Sequence, residues 1–270
     1  MRFFEGCTAL VTGASAGLGA EFARQLAPVA HTLVLVARRN DRLEALRAEF
    51  AEKFPQLSVF IYAVDLADEA ARGNFVKWLH DHDIRIDFLI NNAGLGDHGP
   101  FESSDWKQVR AMLDVNIGAL THLTHLLLPM LRSAGRAAIL NVSSVASFFP
   151  LPDMAVYAAT KAYATSFSEA LRIELRGTGI SVTAVCPGPV PTEFFGIATR
   201  PGDEHNAPHY ETMPAFRVEA AEAVRTALEA VAGDRARVIP GLLLAVAVSV
   251  ACVVPFFIVR QALQIGRARK

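Results

Sequence analysis

The sequence predicts an α/β protein with a doubly wound fold, in which one parallel sheet carries helices on both faces. Short apolar runs alternate with stretches of helical periodicity, and this is the pattern of repeated βαβ units. No linker of biased composition interrupts the alternation, so we expect one domain over residues 1–240. The length of 270 residues and the apolar fraction of 52% suit one large domain with a substantial core.

Seven apolar segments are predicted to form the strands of this sheet. In chain order they span residues 8–11, 32–37, 58–64, 87–90, 137–142, 181–186 and 236–239. The helices are predicted up to about residue 27 and at 41–54, 68–80, 104–132, 155–176 and 219–232. Ligands of doubly wound sheets bind beyond the carboxyl ends of the strands. The polar clusters that follow these strands are therefore the candidate site.

A glycine-rich turn joins the first strand to the first helix. Gly13, Gly17 and Gly19 give the spacing GxxxGxG. Glycine permits a tight turn and lets backbone amides approach a pyrophosphate at the N-terminus of the helix. Such a turn can also be glycine-rich for packing alone, but its place in the first βα unit favours a dinucleotide site.

Two arginines follow the second strand, where a dinucleotide site distinguishes its cofactors. An NAD site usually offers a carboxylate to the ribose 2′-hydroxyl at this point, and this chain has Arg38 and Arg39 instead. Arginine can form a bidentate pair with a 2′-phosphate. The alternative is two solvated arginines before a surface helix. We predict a preference for NADP(H) over NAD(H).

A tyrosine and a lysine share one face of the long helix predicted at 155–176. Tyr157 and Lys161 are four residues apart, and Ser144 closes the preceding strand. A free tyrosine titrates near pH ~10, and a nearby ammonium lowers that pKa, so the phenol can exchange protons with a substrate oxygen. Taken alone, such a pair is more often a half-buried aromatic residue and a solvated lysine. The neighbouring motifs favour catalysis.

Together these motifs resemble those of the short-chain dehydrogenases/reductases. The resemblance covers residues 6–193 and is carried by Thr12-Gly13-Ala14-Ser15-Ala16-Gly17-Leu18-Gly19, Asp65-Leu66, Asn91-Asn92-Ala93-Gly94, Asn116, Ser144, Tyr157-x-x-x-Lys161 and Pro187-Gly188-x-Val190-x-Thr192. It implies a Rossmann-type fold, a carbonyl/alcohol oxidoreductase and a homo-oligomer, often formed through helices such as 104–132 and 155–176.

The resemblance also implies a role for each catalytic residue. Tyr157 would be the general acid/base, and Lys161 would lower its pKa and hold the nicotinamide ribose. Ser144 would orient the substrate carbonyl and stabilise charge on its oxygen. Asn116 would anchor a water in a proton relay to Lys161. The alternative is an asparagine that merely marks a helix kink, and the two roles are compatible.

The cofactor-binding residues that the resemblance implies surround the glycine turn and the strand ends. They are Gly13, Ser15, Gly17, Leu18, Gly19, Arg38, Arg39, Asp65, Leu66, Asn91, Ala93, Gly94, Tyr157, Lys161, Pro187, Gly188, Val190 and Thr192. One residue departs from the family pattern, because many NADP-preferring members carry Lys or Arg at the position of Ala16. The phosphate preference therefore depends on Arg38 and Arg39.

Composition and charge exclude several other classes of protein. The net charge of −1 gives no reason to expect a nucleic-acid partner. Cys7, Cys186 and Cys252 lack metal-ligand spacing and indicate a reducing compartment, and the first residues show no signal peptide, so we expect a cytoplasmic protein. His122 and His125 lie three residues apart without an acidic neighbour at ligand spacing, so no metal is expected.

A hydrophobic and basic extension, residues 241–270, follows the predicted domain. Residues 242–259 carry no formal charge, and Arg260, Arg267, Arg269 and Lys270 come after them. Pro255 and the expected cytoplasmic catalytic domain disfavour a simple membrane span. Peripheral membrane contact through 242–259 on the cytoplasmic face is one interpretation, and an extension that packs on the domain, covers the cleft or joins subunits is the other.

We therefore expect an NADP(H)-dependent oxidoreductase acting on a small carbonyl or alcohol. Five apolar residues near the chemistry suggest a hydrophobic substrate, although they could equally be core: Phe148, Phe149, Leu151, Phe194 and Phe195. Residues 199–214 read as a loop that could cover the substrate. The competing functions are a non-catalytic NADP(H)-binding sensor and a membrane-docked interaction protein of the same fold.

Overall fold

A computed structural model describes residues 2–200, 216–255, 257–261 and 264. Within these residues one sheet is formed by β1 (Thr8–Thr12), β2 (Thr32–Ala37), β3 (Ser58–Ala63), β4 (Phe88–Asn91), β5 (Ala137–Val142), β6 (Ile180–Val185) and β7 (Arg237–Val238). All of the pairings are parallel, and the order is β3-β2-β1-β4-β5-β6-β7. Most of the loop predicted at 199–214 and the basic residues after 264 lie outside the described residues.

Helices cover both faces of the sheet, as predicted. The described helices are α1 (Gly17–Leu26), α2 (Asn40–Lys53), α3 (Glu69–Asp81), α4 (Trp106–Leu113), α5 (Leu120–Ser133), α6 (Ala155–Glu174), α7 (Glu193–Ala198), α8 (Ala220–Ala232) and α9 (Leu242–Val253). Side chains of α1, α2 and α8 share one buried cluster with one face of the strands, and α3, α5 and α6 share another with the opposite face. Strand side chains alternate between the two clusters because the period of a strand is two residues.

The strand order places the crevice of the fold between β1 and β4. From β1 the chain builds outward to β2 and β3, then crosses back to pair β4 on the other side of β1. In open α/β sheets such a reversal leaves a gap between neighbouring connections at the carboxyl ends of the strands. The glycine turn after β1 and the Asn-Asn-Ala-Gly segment after β4 face each other across this gap.

The long helix predicted at 104–132 extends over Trp106–Ser133, but its middle is not α-helical. Between α4 and α5 the chain forms a π-helical segment, Asp114–Ala119, which contains Asn116. The Asn116 amide binds both backbone groups of Leu95, a residue of the loop after β4. This contact spans 21 residues of chain, so local periodicity could not reveal it. Such π-segments are frequent at functional sites.

The extension begins as a short helix that lies partly on the domain. In α9, Leu244 and Val248 are buried, whereas Leu243, Val246 and Val250 are exposed. Among the described residues, one helix has the length and apolar composition of a membrane span, Trp106–Ser133, and α9 is shorter than that. Leu123, Leu127 and Leu131 of the longer helix are buried in the core, so its apolar character reflects packing on the sheet.

Candidate active site

A cavity of about 920 Å³ opens at the carboxyl ends of the strands. Most of the residues predicted for the site line it: Gly13, Ser15, Gly17, Leu18, Arg38, Asp65, Leu66, Ala93, Gly94, Ser144, Tyr157, Lys161, Pro187, Gly188, Val190 and Thr192. They come from the glycine turn, from the segments after β2 to β6, and from α6. The fold therefore brings together motifs that are up to 179 residues apart, from Gly13 to Thr192.

The glycine turn forms a cradle in which backbone approaches backbone. A Cβ atom on Gly19 would lie 2.2 Å from the carbonyl oxygen of Gly13, and one on Gly13 would lie 2.9 Å from the Cα atom of Ala93. Gly13 also has a φ angle of 67°. Gly19 does not line the cavity, and its missing side chain allows close packing of α1 against the turn. The first turn of α1 has no side-chain cap, and its amides remain available for a pyrophosphate.

The two adjacent arginines after β2 have different surroundings. Arg38 is exposed and lines the cavity, and no ion pair to it is found within the described ranges. Arg39 does not line the cavity, since it donates to Ser15 Oγ at 3.3 Å and to Glu193 Oε2 at 2.9 Å. The other oxygen of Glu193 accepts from Arg42 at 2.6 Å. Arg38 is therefore the arginine better placed for a 2′-phosphate.

A buried arginine that the sequence did not single out supports the segment after β3. Arg72 of α3 donates to the carbonyl oxygen of Leu66 at 2.7 Å and to His122 Nδ1 at 3.2 Å. Leu66 lines the cavity, so Arg72 holds this part of the cavity wall in position through the Leu66 carbonyl group. His122 thus has a hydrogen-bonding role, and no metal-ligand cluster is found in the described part of the chain. An arginine in a polar helix gives no sequence signal for such a role.

Asn91 does not form the cavity wall that was expected of it. Its amide donates to Thr124 Oγ1 at 3.0 Å and to Asn141 Oδ1 at 2.8 Å inside the protein. Asn92 lines the cavity instead and donates to the carbonyl oxygen of Thr12 at 2.9 Å. Asn91 is the last residue of β4, and consecutive strand side chains point to opposite sides, so one of the two asparagines had to face inward.

The phenol of Tyr157 and the hydroxyl of Ser144 lie together in the cavity wall. Both side chains are buried. Ser144 Oγ accepts from the amide of Ala146 at 3.1 Å and donates only a long contact, 3.5 Å, to the carbonyl oxygen of Pro187. A contact of that length is weak, so the hydroxyl can donate to a substrate oxygen instead.

Burial, not Lys161, dominates the proton affinity of Tyr157. Desolvation of the phenolate raises the pKa of Tyr157 to about 12, against the smaller lowering effect of Ser144. Desolvation likewise lowers the pKa of Lys161 to about 8. Lys161 Nζ donates to the carbonyl oxygen of Val142 at 2.9 Å and lies 5.7 Å from the centre of the Tyr157 ring. Burial keeps Tyr157 protonated at neutral pH, and the lowering of its pKa by Lys161 stays a prediction.

Asn116 positions backbone and helix behind the cavity and does not line it. Its Oδ1 accepts from the amide of Leu95 at 2.8 Å, and its Nδ2 donates to the Leu95 carbonyl and to Thr160 Oγ1, each at 2.9 Å. Thr160 in turn donates to the carbonyl oxygen of Tyr157 at 2.8 Å. A Cβ atom on Gly94 would be 3.4 Å from both Asn116 Oδ1 and Lys161 Nζ, so these two polar atoms flank the same glycine. This role of Thr160 could not be predicted from the sequence, because a threonine inside a helix is not distinctive.

Apolar side chains form the part of the cavity beyond Tyr157. They are Leu95, Val145, Ala146, Leu151, Met154, Phe194, Phe195 and Ile197. The Phe194 ring lies 5.5 Å from the Tyr157 ring. Phe148 and Phe149, which were also considered for this wall, do not line the cavity. His98 is a polar residue on this side, and Asp97 beside it pairs with Arg200 at 2.6 Å.

Replacing Lys161 with Met should make the protein more stable at pH 7. The pKa of this lysine falls from 10.5 to about 8 on folding. Its destabilising effect is therefore complete below pH ~8 and fades as the pH rises towards 10.5. At about 1.4 kcal/mol for each tenfold change in proton affinity, the effect is at most about 3 kcal/mol. Urea unfolding of Lys161→Met and wild type at pH 7 and pH 10 should show an advantage that shrinks with rising pH.

The matched control for this measurement is Lys107→Met. Lys107 is exposed, so its loss should change the free energy of unfolding equally at both pH values. An advantage of Lys161→Met that does not vary with pH would contradict the prediction, because the gain would then come from packing and not from removing a buried cation.

Comparison with known proteins identifies the family. The chain matches the short chain dehydrogenase family over residues 7–200. Sulfoacetaldehyde reductase 2 of Chromohalobacter salexigens is 36% identical over 219 residues, which cover 80% of this chain and 85% of the relative. Solved structures show the same similarity in sequence and in fold.

Two solved structures superpose on nearly the whole chain. A short-chain dehydrogenase from Sphingobium yanoikuyae in complex with NADPH has a TM-score of 0.80 and 34% identity, covering 96% of this chain and 94% of that one. The bulky-bulky ketone specific alcohol dehydrogenase from Comamonas testosteroni has a TM-score of 0.76 and 29% identity, covering 96% and 93%. The family match over most of the chain, the sheet order and the Tyr157–Lys161 pair in the cavity agree, and the chain belongs to the short-chain dehydrogenase family.

Proposed function

We propose that the protein reduces bulky, hydrophobic carbonyl compounds to alcohols, with Tyr157 as the general acid and NADPH as the cofactor. Membership of the family makes it an NADP-dependent oxidoreductase, in line with the NADPH of the Sphingobium structure. The observation that carries the proposal is a protonated phenol beside a serine hydroxyl, both in the wall of one large cavity. The other end of that cavity holds Arg38.

The proton and the substrate oxygen are handled by Tyr157 and Ser144. NADPH, when bound, supplies the hydride for the carbonyl carbon. Tyr157 donates its proton to the carbonyl oxygen, and Ser144 donates a hydrogen bond to the same oxygen. A preorganised donor of this kind can contribute about 3 kcal/mol to stabilising the transition state. Because the pKa of Tyr157 is raised to about 12, the acid form that reduction needs is present at neutral pH.

Three residues assist Tyr157 without donating the proton to the substrate themselves: Lys161, Asn116 and Thr160. A pKa of about 8 leaves Lys161 mostly protonated at pH 7, so that it can stabilise the phenolate after proton transfer. Its ammonium would also bind the hydroxyls of the nicotinamide ribose. Asn116 and Lys161 flank Gly94, which is the arrangement that a water-mediated return of the proton to Tyr157 would use.

The residues present fit the phosphate-bearing cofactor. The uncapped start of α1 could hold a pyrophosphate, and Gly13 and Gly19 leave no room for a side chain because the backbone of the neighbouring turn already lies against them. Arg38 supplies the cation for the 2′-phosphate, while Arg39 is engaged by Glu193. Asp65 and Leu66 would flank the adenine, and Val190 and Thr192 would contact the nicotinamide amide.

The substrate class follows from the apolar part of the cavity. Of the described residues that line the cavity, the only Lys or Arg side chains are Arg38 and Lys161, and both are committed to cofactor or catalysis. A sulfonate or carboxylate on the substrate would lack a dedicated partner there. Leu151, Met154 and Phe194 instead offer contact to a large apolar group. This favours a ketone of the kind named for the Comamonas enzyme over sulfoacetaldehyde.

A paired substrate assay tests this proposal. NADPH oxidation should be followed by absorbance with a diaryl ketone and with sulfoacetaldehyde. We expect kcat/KM to be at least ~100-fold higher for the ketone, since each buried methylene is worth about 0.8 kcal/mol and the ketone buries several. The opposite preference would refute the substrate class. Bound NADPH without oxidation by any carbonyl would favour the alternative, a non-catalytic sensor.

A non-catalytic sensor does not account for the arrangement of the site. A sensor has no need for the Tyr157–Ser144 pair, and both residues lie in the cavity.

The three cysteines are unpaired, in agreement with a reducing compartment, and we infer a cytoplasmic location. The two interpretations of the C-terminal extension, membrane contact and packing on the domain, differ in what covers α9.

A further inference from the structure

Asp97 and Arg200 form a buried ion pair beside the cavity, although they are 103 residues apart in the chain. Their side chains are 8% and 12% exposed. The guanidinium binds both carboxylate oxygens, with Nε 2.8 Å from Oδ1 and Nη2 2.6 Å from Oδ2. Neither residue lines the cavity. Desolvation offsets much of the attraction in a buried pair, so its role is better sought in what it holds in place.

The same guanidinium also binds the residues that follow Asp97. Arg200 Nη1 donates to the carbonyl oxygen of Pro100 at 3.1 Å and to Ser103 Oγ at 2.9 Å, and Nη2 donates to Ser104 Oγ at 2.7 Å. A Cβ atom on Gly99 would lie 2.7 Å from Nη1, so the guanidinium lies against the backbone. The planar fork of an arginine offers its donors in fixed directions. One side chain therefore fixes the whole segment 97–104.

Backbone contacts and close packing continue this connection into α7. The amide of His98 donates to the carbonyl oxygen of Ala198 at 2.9 Å. A Cβ atom on Gly96 would lie 2.7 Å from Phe194 Cζ and 3.0 Å from the Cβ atom of Ala198, so α7 rests directly on the loop after β4. Phe194 and Ile197 of α7 line the apolar part of the cavity. Arg200, two residues after α7, thus anchors one wall of the substrate space.

We propose that Asp97 and Arg200 are positioning residues that set the size of the carbonyl substituent the cavity accepts. They act through α7, because Phe194 lies 5.5 Å from the Tyr157 ring and bounds the space beside the reacting oxygen. Dispersion contacts weaken steeply when a gap of less than about 1 Å opens. A displaced α7 would therefore cost a bulky substituent its contacts, whereas a small one makes few. The inference rests on the proposed carbonyl reduction.

Steady-state kinetics of Arg200→Gln with benzophenone and with propanal tests this role. We expect KM for benzophenone to rise about tenfold with kcat within about twofold of wild type, the pattern of lost binding without lost chemistry. The kcat/KM value for propanal should stay within about twofold, so the preference for the larger carbonyl falls. The dissociation constant for NADPH should not change, because Arg38 and the glycine turn are untouched.

The matched control is Arg172→Gln. Arg172 also pairs with an aspartate, donating to Asp234 Oδ1 at 2.7 Å, and binds the carbonyl oxygens of Val182 and Asp234, but it does not line the cavity or contact α7. Its loss should lower the free energy of unfolding and leave the preference between the two carbonyls unchanged. A purely structural role of Arg200 would give this same result.

A double variant keeps the test decisive if Arg200→Gln fails to fold. Asp97→Asn combined with Arg200→Gln removes both charges, so no unpaired charge stays buried. We expect it to show the same fall in preference for benzophenone. A folded double variant, verified by circular dichroism, that keeps the wild-type preference would overturn the proposal, and so would an equal loss of kcat/KM for both carbonyls. The wild-type rates with the diaryl ketone and sulfoacetaldehyde decide the substrate class separately, since the role of the pair depends only on the change from wild type to variant.

Discussion

Tyr157→Phe should lower kcat for carbonyl reduction by about 10³-fold, the effect typical of a lost general acid. The substitution removes only the hydroxyl, so the ring keeps its contact with Phe194 at 5.5 Å. Cofactor contacts with Arg38 and the glycine cradle stay as they are. The dissociation constant for NADPH should therefore remain within about threefold of the wild-type value, less than 1 kcal/mol. Stopped-flow turnover and fluorescence titration measure the two quantities separately.

Tyr163→Phe is the matched control for this prediction. Tyr163 lies on the same helix six residues further on, is 36% exposed, and bonds Thr121 Oγ1 at 2.9 Å away from the cavity. Its loss should leave kcat unchanged within about twofold, in keeping with a surface substitution. Near wild-type turnover in Tyr157→Phe would remove the tyrosine from the mechanism, and parallel loss of NADPH binding would indicate damage to the cofactor site.

The five central strands, β2, β1, β4, β5 and β6, were predictable because they are buried on both faces. Parallel strands covered on two sides read as continuous apolar runs, and β2 and β5 match their predicted ranges. The remaining boundaries moved by one or two residues, as at β6, where Ile180–Val185 replaces 181–186. The fold class and the family followed from these runs together with the motifs at their carboxyl ends.

The details that sequence could not supply depend on contacts between distant segments. Which of Asn91 and Asn92 faces the cavity depends on the end of β4. The separate surroundings of Arg38 and Arg39 arise from Glu193, which lies more than 150 residues away. The proton affinity of Tyr157 depends on how completely the fold removes water from it. Each is a tertiary effect, and neither periodicity nor residue spacing encodes it.

Arg38→Asp should raise KM for NADPH by about 100-fold, because it removes a charge-assisted bond to the 2′-phosphate and adds repulsion. Arg38 lines the cavity and is exposed. KM for NADH should stay level or fall, since the new carboxylate can accept a hydrogen bond from the ribose 2′-hydroxyl. Steady-state kinetics with both cofactors at a fixed ketone concentration gives the ratio directly.

Two further arginines make the test specific to Arg38. Arg47→Asp changes the charge equally on α2, at an exposed residue paired with Glu44, and should shift KM for both cofactors by no more than about twofold. Arg39→Gln should have a smaller effect than Arg38→Asp, because Glu193 and Ser15 already hold the Arg39 guanidinium. If Arg38→Asp instead raised KM for NADPH and NADH by the same factor, the Arg38 side chain would be maintaining the shape of the cleft. The 2′-phosphate would then have to be bound by Arg39 after this arginine is released from Glu193.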